Sequence, residues 1–308
     1  MEQPDQKHLF CFGHGYSCDY LTHALMEEGG WRISGTTRDS DKKKALRARG
    51  VQSYIFDEEC PLPDPLYILR NVTHLLISTP PDDNGDLPFT IHGEDILKLK
   101  NLQWVGYLST TGAYGDRGGG WVDESAEVRP TTKRGSRRAK AEEQWLTLQK
   151  LYGLPVHVFR LAGIYGPGRS ALDFVRAGVA RRIDKPGHAF SRVHVEDIVQ
   201  VLRASIAQPN PGAVYNVCDD ESAPSHEVIA YACELLGIEP PPLIPFEKAD
   251  LAPITLSFYA DNKRLRNDRI KTELGVRLKY PDFRKGLEAC LAAEEHAVNL
   301  FAGLGEQV

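Results

Sequence analysis

The chain has 308 residues, 42% hydrophobic and 26% charged, a balance that suits a soluble globular protein with one large core or two coupled ones. Its formal charge of −5 offers no field for nucleic acid or an anionic membrane. No apolar run approaches the roughly 18–20 residues that cross a bilayer, and Met1–Lys7 is polar, without the apolar segment of a secretion signal.

The first predicted strand is Leu9–Phe12. Gly13-x-Gly15-x-x-Cys18 follows, then an amphipathic helical stretch, Asp19–Glu28. A strand feeding a glycine turn that opens a helix is the arrangement that takes the pyrophosphate of a dinucleotide. Gly13 permits the sharp turn, and Gly15 lets backbone N–H groups approach phosphate at the positive end of the helix. The third position, usually Gly or Ala, is Cys18, small enough to pack there. The cofactor contacts expected from this turn are Gly13, His14, Gly15, Tyr16 and Ser17.

Strand and helix patterns then alternate. Strands are expected at Arg32–Thr36, Gln52–Phe56, His74–Ser78, Trp104–Leu108 and Val156–Arg160, and helices at Lys42–Arg49, Glu94–Leu99 and Ser136–Tyr152. Such alternation predicts an α/β fold, a Rossmann-type doubly wound parallel sheet. Beyond Ile164 Pro and Gly become dense, with a strand at Ala213–Val217 and helices at Ser225–Leu236 and Asp282–Ala302. Residues 1–165, with 186–217 returning to them, are read as the dinucleotide-binding domain. Residues 166–185 and 218–308 are read as a small C-terminal substrate lobe.

Ligands of such sheets lie at the carboxyl ends of the strands. The second strand ends Gly35-Thr36-Thr37-Arg38, where an NAD site usually carries an acid for the ribose hydroxyl. A guanidinium suits a 2′-phosphate, so NADP is expected over NAD, with Arg38 as the contact. Asp57 ends the third strand near the adenine, and Ser78, Thr79 and Pro80 end the fourth, where small residues let ribose and nicotinamide pass. Each of these is equally a plain strand-end cap. The six cysteines are scattered without a C-x-x-C pair, so reduced thiols in a cytoplasmic protein are expected, and the ten histidines show no metal-ligand spacing.

Further motifs follow in order: Leu108-Ser109-Thr110-Thr111-Gly112-Ala113-Tyr114-Gly115, then Arg160-Leu161-Ala162-Gly163-Ile164-Tyr165-Gly166-Pro167-Gly168-Arg169. After them come Arg192-Val193-His194-Val195-Glu196-Asp197-Ile198-Val199, Val214-Tyr215-Asn216-Val217 and Glu273-Leu274-Gly275. With the glycine turn, and over nearly the whole chain, this set resembles the NAD(P)-dependent epimerase/dehydratase branch of the extended short-chain dehydrogenase/reductases. The resemblance implies a Ser or Thr that orients the substrate oxygen, matched by Thr110. It also implies a Tyr-x-x-x-Lys pair, whose places hold Arg134 and Arg138. The Asp-Glu pair of the dehydratases is replaced by Thr111 and Gly112. Arginine stays protonated far above neutral pH, so Arg134 cannot shuttle a proton, whereas Arg138 can still hold the nicotinamide ribose.

Arg134 and Arg138 lie one helical turn apart and share a face. Two cations there favour NADPH over the positively charged oxidised ring, and favour a small anionic partner molecule. The alternative is that they fan into solvent with Lys133, Arg137 and Lys140. Tyr114, Glu124 and His194 are weaker candidates for the missing proton chemistry. Arg160 and Arg169 are candidate anion contacts, Arg160 equally a partner for a buried carboxylate. Asp116–Gly120 is a candidate lid or a long turn. The expected activity is hydride transfer on a small, anionic carbonyl or hydroxyl compound; the alternative is a non-catalytic NADPH-binding redox sensor or regulator. Thiol redox chemistry is disfavoured because no cysteine has a resolving partner along the chain. By analogy with the superfamily, helices Glu94–Leu99 and Ser136–Tyr152 would form a homodimer interface.

Overall fold

The computed structural model describes residues 6–305, with side chains through residue 295. Met1–Asp5 of the polar start and the last three residues of the 218–308 lobe lie outside the described residues. The first half runs β1 (Lys7–Phe12), α1 (Tyr16–Glu28), β2 (Trp31–Thr37), α2 (Ser40–Ala48), β3 (Gln52–Ile55), α3 (Pro65–Leu69), β4 (His74–Ile77), α4 (Leu87–Leu97) and β5 (Trp104–Thr110). Then come β6 (Trp121–Val122), α5 (Lys133–Tyr152), β7 (Val156–Leu161), β8 (Gly163–Tyr165), α6 (Ala171–Arg176), β9 (Arg182–Asp184), β10 (Arg192–His194) and α7 (Val195–Ala207). The chain continues with β11 (Val214–Val217), α8 (Ser225–Leu236), β12 (Leu243–Pro245), α9 (Pro253–Tyr259), β13 (Arg264–Leu265), α10 (Asp268–Thr272) and α11 (Phe283–Gly305).

Seven strands form one parallel sheet in the order β11-β7-β5-β4-β1-β2-β3. This is the expected doubly wound sheet. The order reverses between β1 and β4, so a crevice opens at their carboxyl ends, where Gly13 and Ser78-Thr79 stand. Alternation along β1 builds both halves of the core. Leu9 and Cys11 join the cluster containing Cys18 and Leu21 of α1 and Ile198 and Leu202 of α7. Phe10 and Phe12 join the opposite cluster, with Ile96 of α4 and Trp145 of α5. A third cluster joins Tyr165, Leu172 and Val175 to Val228, Ile229, Phe283 and Leu287, away from the sheet. Among the described residues no helix is long and apolar enough to cross a membrane.

Several elements begin earlier than their apolar patterns predict. α1 opens at Tyr16 rather than Asp19, directly behind Gly15. α4 spans Leu87–Leu97 rather than Glu94–Leu99 because the Asp86 carboxylate accepts the Phe89 N–H and Pro88 occupies the first turn. Thr132 caps α5 and starts it at Lys133. α3 and α7 were not anticipated; α7 is rich in β-branched residues and is capped by an unusual residue, His194, whose Nδ1 accepts the Glu196 N–H at 3.2 Å. The segment Asp116–Gly120 is not a free lid. Arg117 and Gly119 N–H donate to Asn262 O at 3.0 and 2.9 Å, and Asn262 N–H returns to Asp116 Oδ1 at 2.7 Å.

Candidate functional site

The glycine turn is built against two strand ends. Gly13 has φ +84°, and a Cβ there would stand 2.9 Å from Thr79 Cγ2 and 3.0 Å from Thr79 N. Thr36 ties the turn to β2: its Oγ1 accepts Gly13 N–H at 2.8 Å and its carbonyl accepts His14 N–H at 2.8 Å. His14 is therefore turned inward, with its ring buried and Nε2 3.3 Å from both Thr22 Oγ1 and Asp19 Oδ1. What faces the crevice is the start of α1. Gly15 has no side chain to cap it, and the Tyr16, Ser17 and Cys18 N–H groups have no acceptor among the described residues. A Cβ on Gly15 would meet nothing within 4 Å, so space for a phosphate lies open in front of these donors. Thr79 Oγ1, buried at the end of β4, has no hydrogen-bond partner. Open donors, an unpartnered buried hydroxyl and a tight glycine turn on one crevice fit a dinucleotide.

At the end of β2, Arg38 is exposed and has no ion-pair partner among the described residues. The neighbouring acid is occupied: Asp39 caps α2, its Oδ1 accepting from Asp41 and Lys42 N–H at 2.8 and 3.0 Å. Asp57 forms a turn by accepting the Glu59 and Cys60 N–H groups at 3.0 and 2.9 Å. Ser78 is half-buried, its N–H donating to Phe12 O at 2.9 Å, and Pro80 is exposed.

The residues expected at the substrate end come together where β5 meets α5. Thr110 ends β5, and its Oγ1 accepts the Gly112 N–H at 3.2 Å, which leaves its hydroxyl proton free. A Cβ on Gly135 would stand 2.6 Å from Gly112 O, so this glycine lets the first turn of α5 lie directly on the Thr111–Tyr114 turn. That close approach brings Arg134 and Arg138 to the site. Arg138 Nη1 donates to Leu108 O at 2.6 Å and to the Tyr107 hydroxyl at 3.4 Å. The Arg134 guanidinium lies 5.5 Å over the Phe258 ring of α9. Burial, then the positive charges of Arg138 and Arg169, lower the Arg134 pKa. Arg169 lies 5.5 Å over the Tyr16 ring, and the Tyr16 hydroxyl donates to Pro167 O at 3.0 Å. A Cβ on Gly166 would stand 2.5 Å from that hydroxyl, so the glycine-rich loop after β8 closes onto α1. Three arginines thus share one field, and none of them forms a close ion pair among the described residues, although the buried Asp86 carboxylate feels the Arg138 charge. Lys133 and Arg137 differ: both bind Asp83, whose pKa their hydrogen bonds hold down at about 2.

The weaker candidates are tied to structure. Arg160 makes a buried ion pair with Glu142 of α5 at 2.7 Å, and Ser109 also donates to that carboxylate. Tyr114 is fully buried, its hydroxyl 2.7 Å from Asn216 Oδ1, and burial raises its pKa. Glu124 Oε1 accepts the Asn216 N–H at 2.7 Å. His194 does not bond Asp197. Its ring lies 4.0 Å from Tyr280, and burial lowers its pKa to about 4, while Asp197 accepts the Lys279 and Tyr280 N–H groups. Burial also raises the phenols of Tyr16, Tyr107 and Tyr165, so none of them is acidified as a proton shuttle. Phe258 was not anticipated, because α9 lies far along the chain from the residues it covers. The structure also gathers Cys11, His14 and Cys18, which their spacing along the chain does not reveal.

No protein-family model matches the chain. It is 54% identical to a functionally unknown conserved protein from Silicibacter pomeroyi DSS, covering 93% of this chain and 99% of that one, with a TM-score of 0.86. It is 29% identical over 261 residues to Protein YeeZ of Escherichia coli (strain K12), covering 82% of this chain and 89% of YeeZ. A 3-diazoavenalumate denitrifying reductase from Streptomyces sp is 31% identical over 165 residues, 49% of this chain and 51% of the reductase. The dTDP-glucose 4,6-dehydratase of Bacillus anthracis str. Ames, solved with NAD, superposes with a TM-score of 0.75 at 17% identity, over 94% of this chain and 97% of that chain.

Proposed function

We propose, for a chain that belongs to the family of the conserved Silicibacter pomeroyi protein and has the extended short-chain dehydrogenase/reductase-like fold, that it is an NADP-binding oxidoreductase of epimerase/dehydratase type. Its substrate is a small anionic carbonyl or hydroxyl compound. The observation that carries the reading is the group of Arg134, Arg138 and Arg169, which forms no close ion pair among the described residues and stands beside the open N-terminus of α1. A dinucleotide is held by the Tyr16 and Ser17 N–H groups, by Thr79, and by Arg38 at the 2′-phosphate. The bound nicotinamide supplies or accepts the hydride. The Thr110 hydroxyl donates a hydrogen bond that polarises the substrate oxygen and keeps its own proton. Arg138 holds the nicotinamide ribose, Arg134 stabilises negative charge developing on that oxygen, and the proton comes from water, because an arginine offers charge and not a transferable proton. The NAD in the Bacillus anthracis dehydratase structure and the redox name of the Streptomyces relative both support nicotinamide chemistry. Arg38, where an NAD site carries an acid, favours NADP.

One observation favours a second reading, a non-catalytic NADPH-binding protein: the buried phenols around the site are all raised in pKa. A single assay separates the two. Purified protein is mixed with NADPH and a panel of aldehydes, keto acids and nucleotide sugars, and absorbance of the reduced ring is followed. The oxidoreductase reading expects consumption with an anionic member, about 10²-fold slower in Thr110→Val and in Arg134→Ala. Tight NADPH binding without consumption by any member supports the non-catalytic reading.

A further inference from the structure

Beneath the glycine turn, three side chains from three kinds of local structure converge. Cys11 near the end of β1, His14 in the turn and Cys18 in the first turn of α1 each offer a ligand atom within 4.8 Å of the others, and all three residues are buried. The His14 side chain is wholly excluded from solvent, and its Nδ1 has no hydrogen-bond partner. Its Nε2 lies 3.3 Å from Asp19 Oδ1, which also holds Arg49 Nη1 at 2.9 Å. The Cys18 thiol is in hydrogen-bonding contact with both this imidazole and the Cys11 thiol, and a carboxylate on the imidazole is how metal-binding histidines are oriented. A Cβ on Gly35 would stand 3.3 Å from both Cys11 Cβ and His14 Nδ1, so this glycine keeps the space beside them open.

We propose that Cys11, His14 and Cys18 bind a thiophilic d10 cation of the zinc class, captured as the chain folds. Two sulfurs and an imidazole select such an ion over magnesium or calcium. Binding forms two metal–thiolate bonds and one metal–imidazole bond and releases both thiol protons to water. Two thiolates and one divalent cation sum to zero charge, which suits a site without solvent. The competing chemistry, oxidation to a disulfide, needs an oxidant to reach a thiolate, and both sulfurs are fully buried. The cation would tie strand, turn and helix together directly under the N–H groups that face the crevice, yet the site needs no dinucleotide to form.

The test uses the full chain, produced in zinc-replete medium and separately in medium where cobalt(II) replaces zinc, then freed of loose metal by gel filtration. Elemental analysis is expected to find about one metal per chain, and the cobalt form a thiolate-to-metal charge-transfer band. Cys18→Ala places an ordinary residue for this turn at the third motif position, so it is expected to keep its circular dichroism and lose both metal and band. Cys60→Ala, at an exposed cysteine, is expected to keep both. Wild-type protein without metal and band, or a Cys18→Ala protein with as much metal as wild type, overturns the proposal.

Discussion

At the scale of single residues, two buried charges make opposite demands. Glu142 is bound by Arg160 and Ser109, and this pairing holds the Arg160 guanidinium more firmly protonated despite burial. Glu142→Gln leaves that guanidinium buried without its counter-charge, and urea unfolding is expected to show a loss of about 3–5 kcal/mol. Replacing both partners by Leu and Met is expected to recover most of it; a double variant as unstable as the single one contradicts the assignment. Asp86 has no cationic hydrogen-bond partner. Its Oδ1 accepts from Phe89 N–H and Trp145 Nε1–H at 3.1 and 3.2 Å, its Oδ2 is unpartnered, and burial raises its pKa to about 6. A folded pKa above the unfolded one means the neutral acid stabilises at low pH, and this contribution disappears as pH rises through about 6. Asp86→Asn keeps the Oδ1 acceptor and removes the ionisation. Its stability relative to wild type is therefore expected to rise by up to about 3 kcal/mol between about pH 4 and pH 8. A difference independent of pH removes Asp86 from this role.

At the scale of elements, what the sequence displays depends on where the controlling contacts lie. The buried runs of β1, β4, β5 and β7 are legible because strands covered on both faces are mostly apolar, without a polar residue at every second place. α8 is legible over Ser225–Leu236 because its apolar residues follow helical spacing up to Gly237, whose φ is +63°. α4 and α7 were misplaced or missed because their starts are fixed by polar caps, Asp86 and His194, and the apolar pattern alone does not mark them. The turn before α1 makes a sharper statement. Gly13 needs both its positive φ and the absence of a Cβ, whereas Gly15 needs neither for the fold, since its Cβ would meet only open space. Gly13→Ala is expected to cost about 1–3 kcal/mol in thermal unfolding. Gly15→Ala is expected to unfold almost as the wild type does, yet to bind NADPH at least 10-fold more weakly, because the methyl fills the place of a phosphate. Unchanged affinity in Gly15→Ala denies the crevice that ligand.

For the whole molecule, the parallel sheet is readable from strand alternation, because a parallel α/β fold repeats one local pattern many times, whereas the switch point between β1 and β4 comes only from the strand order. The site was readable only in part. Thr110, Arg134 and Arg138 are marked only by the motif resemblance, and the approach of Arg169 and of Phe258 on α9 depends on how distant segments fold back. The inward turn of His14 depends on Thr36, a residue of another strand. Removing one arginine from the shared field is expected to matter most for the oxidised coenzyme. In Arg134→Ala the ratio of NADP⁺ to NADPH dissociation constants should fall several-fold, and an unchanged ratio places that guanidinium away from the nicotinamide. The central claim is that a phosphorylated adenine dinucleotide lies over the start of α1 with Arg38 at its 2′-phosphate. Its most direct test is calorimetric titration of NADPH and NADH into the wild type and into Arg38→Asp. The account predicts tighter binding of NADPH by the wild type and a loss or reversal of that preference in the variant; no heat from either coenzyme, or equal affinities in the wild type, would contradict it.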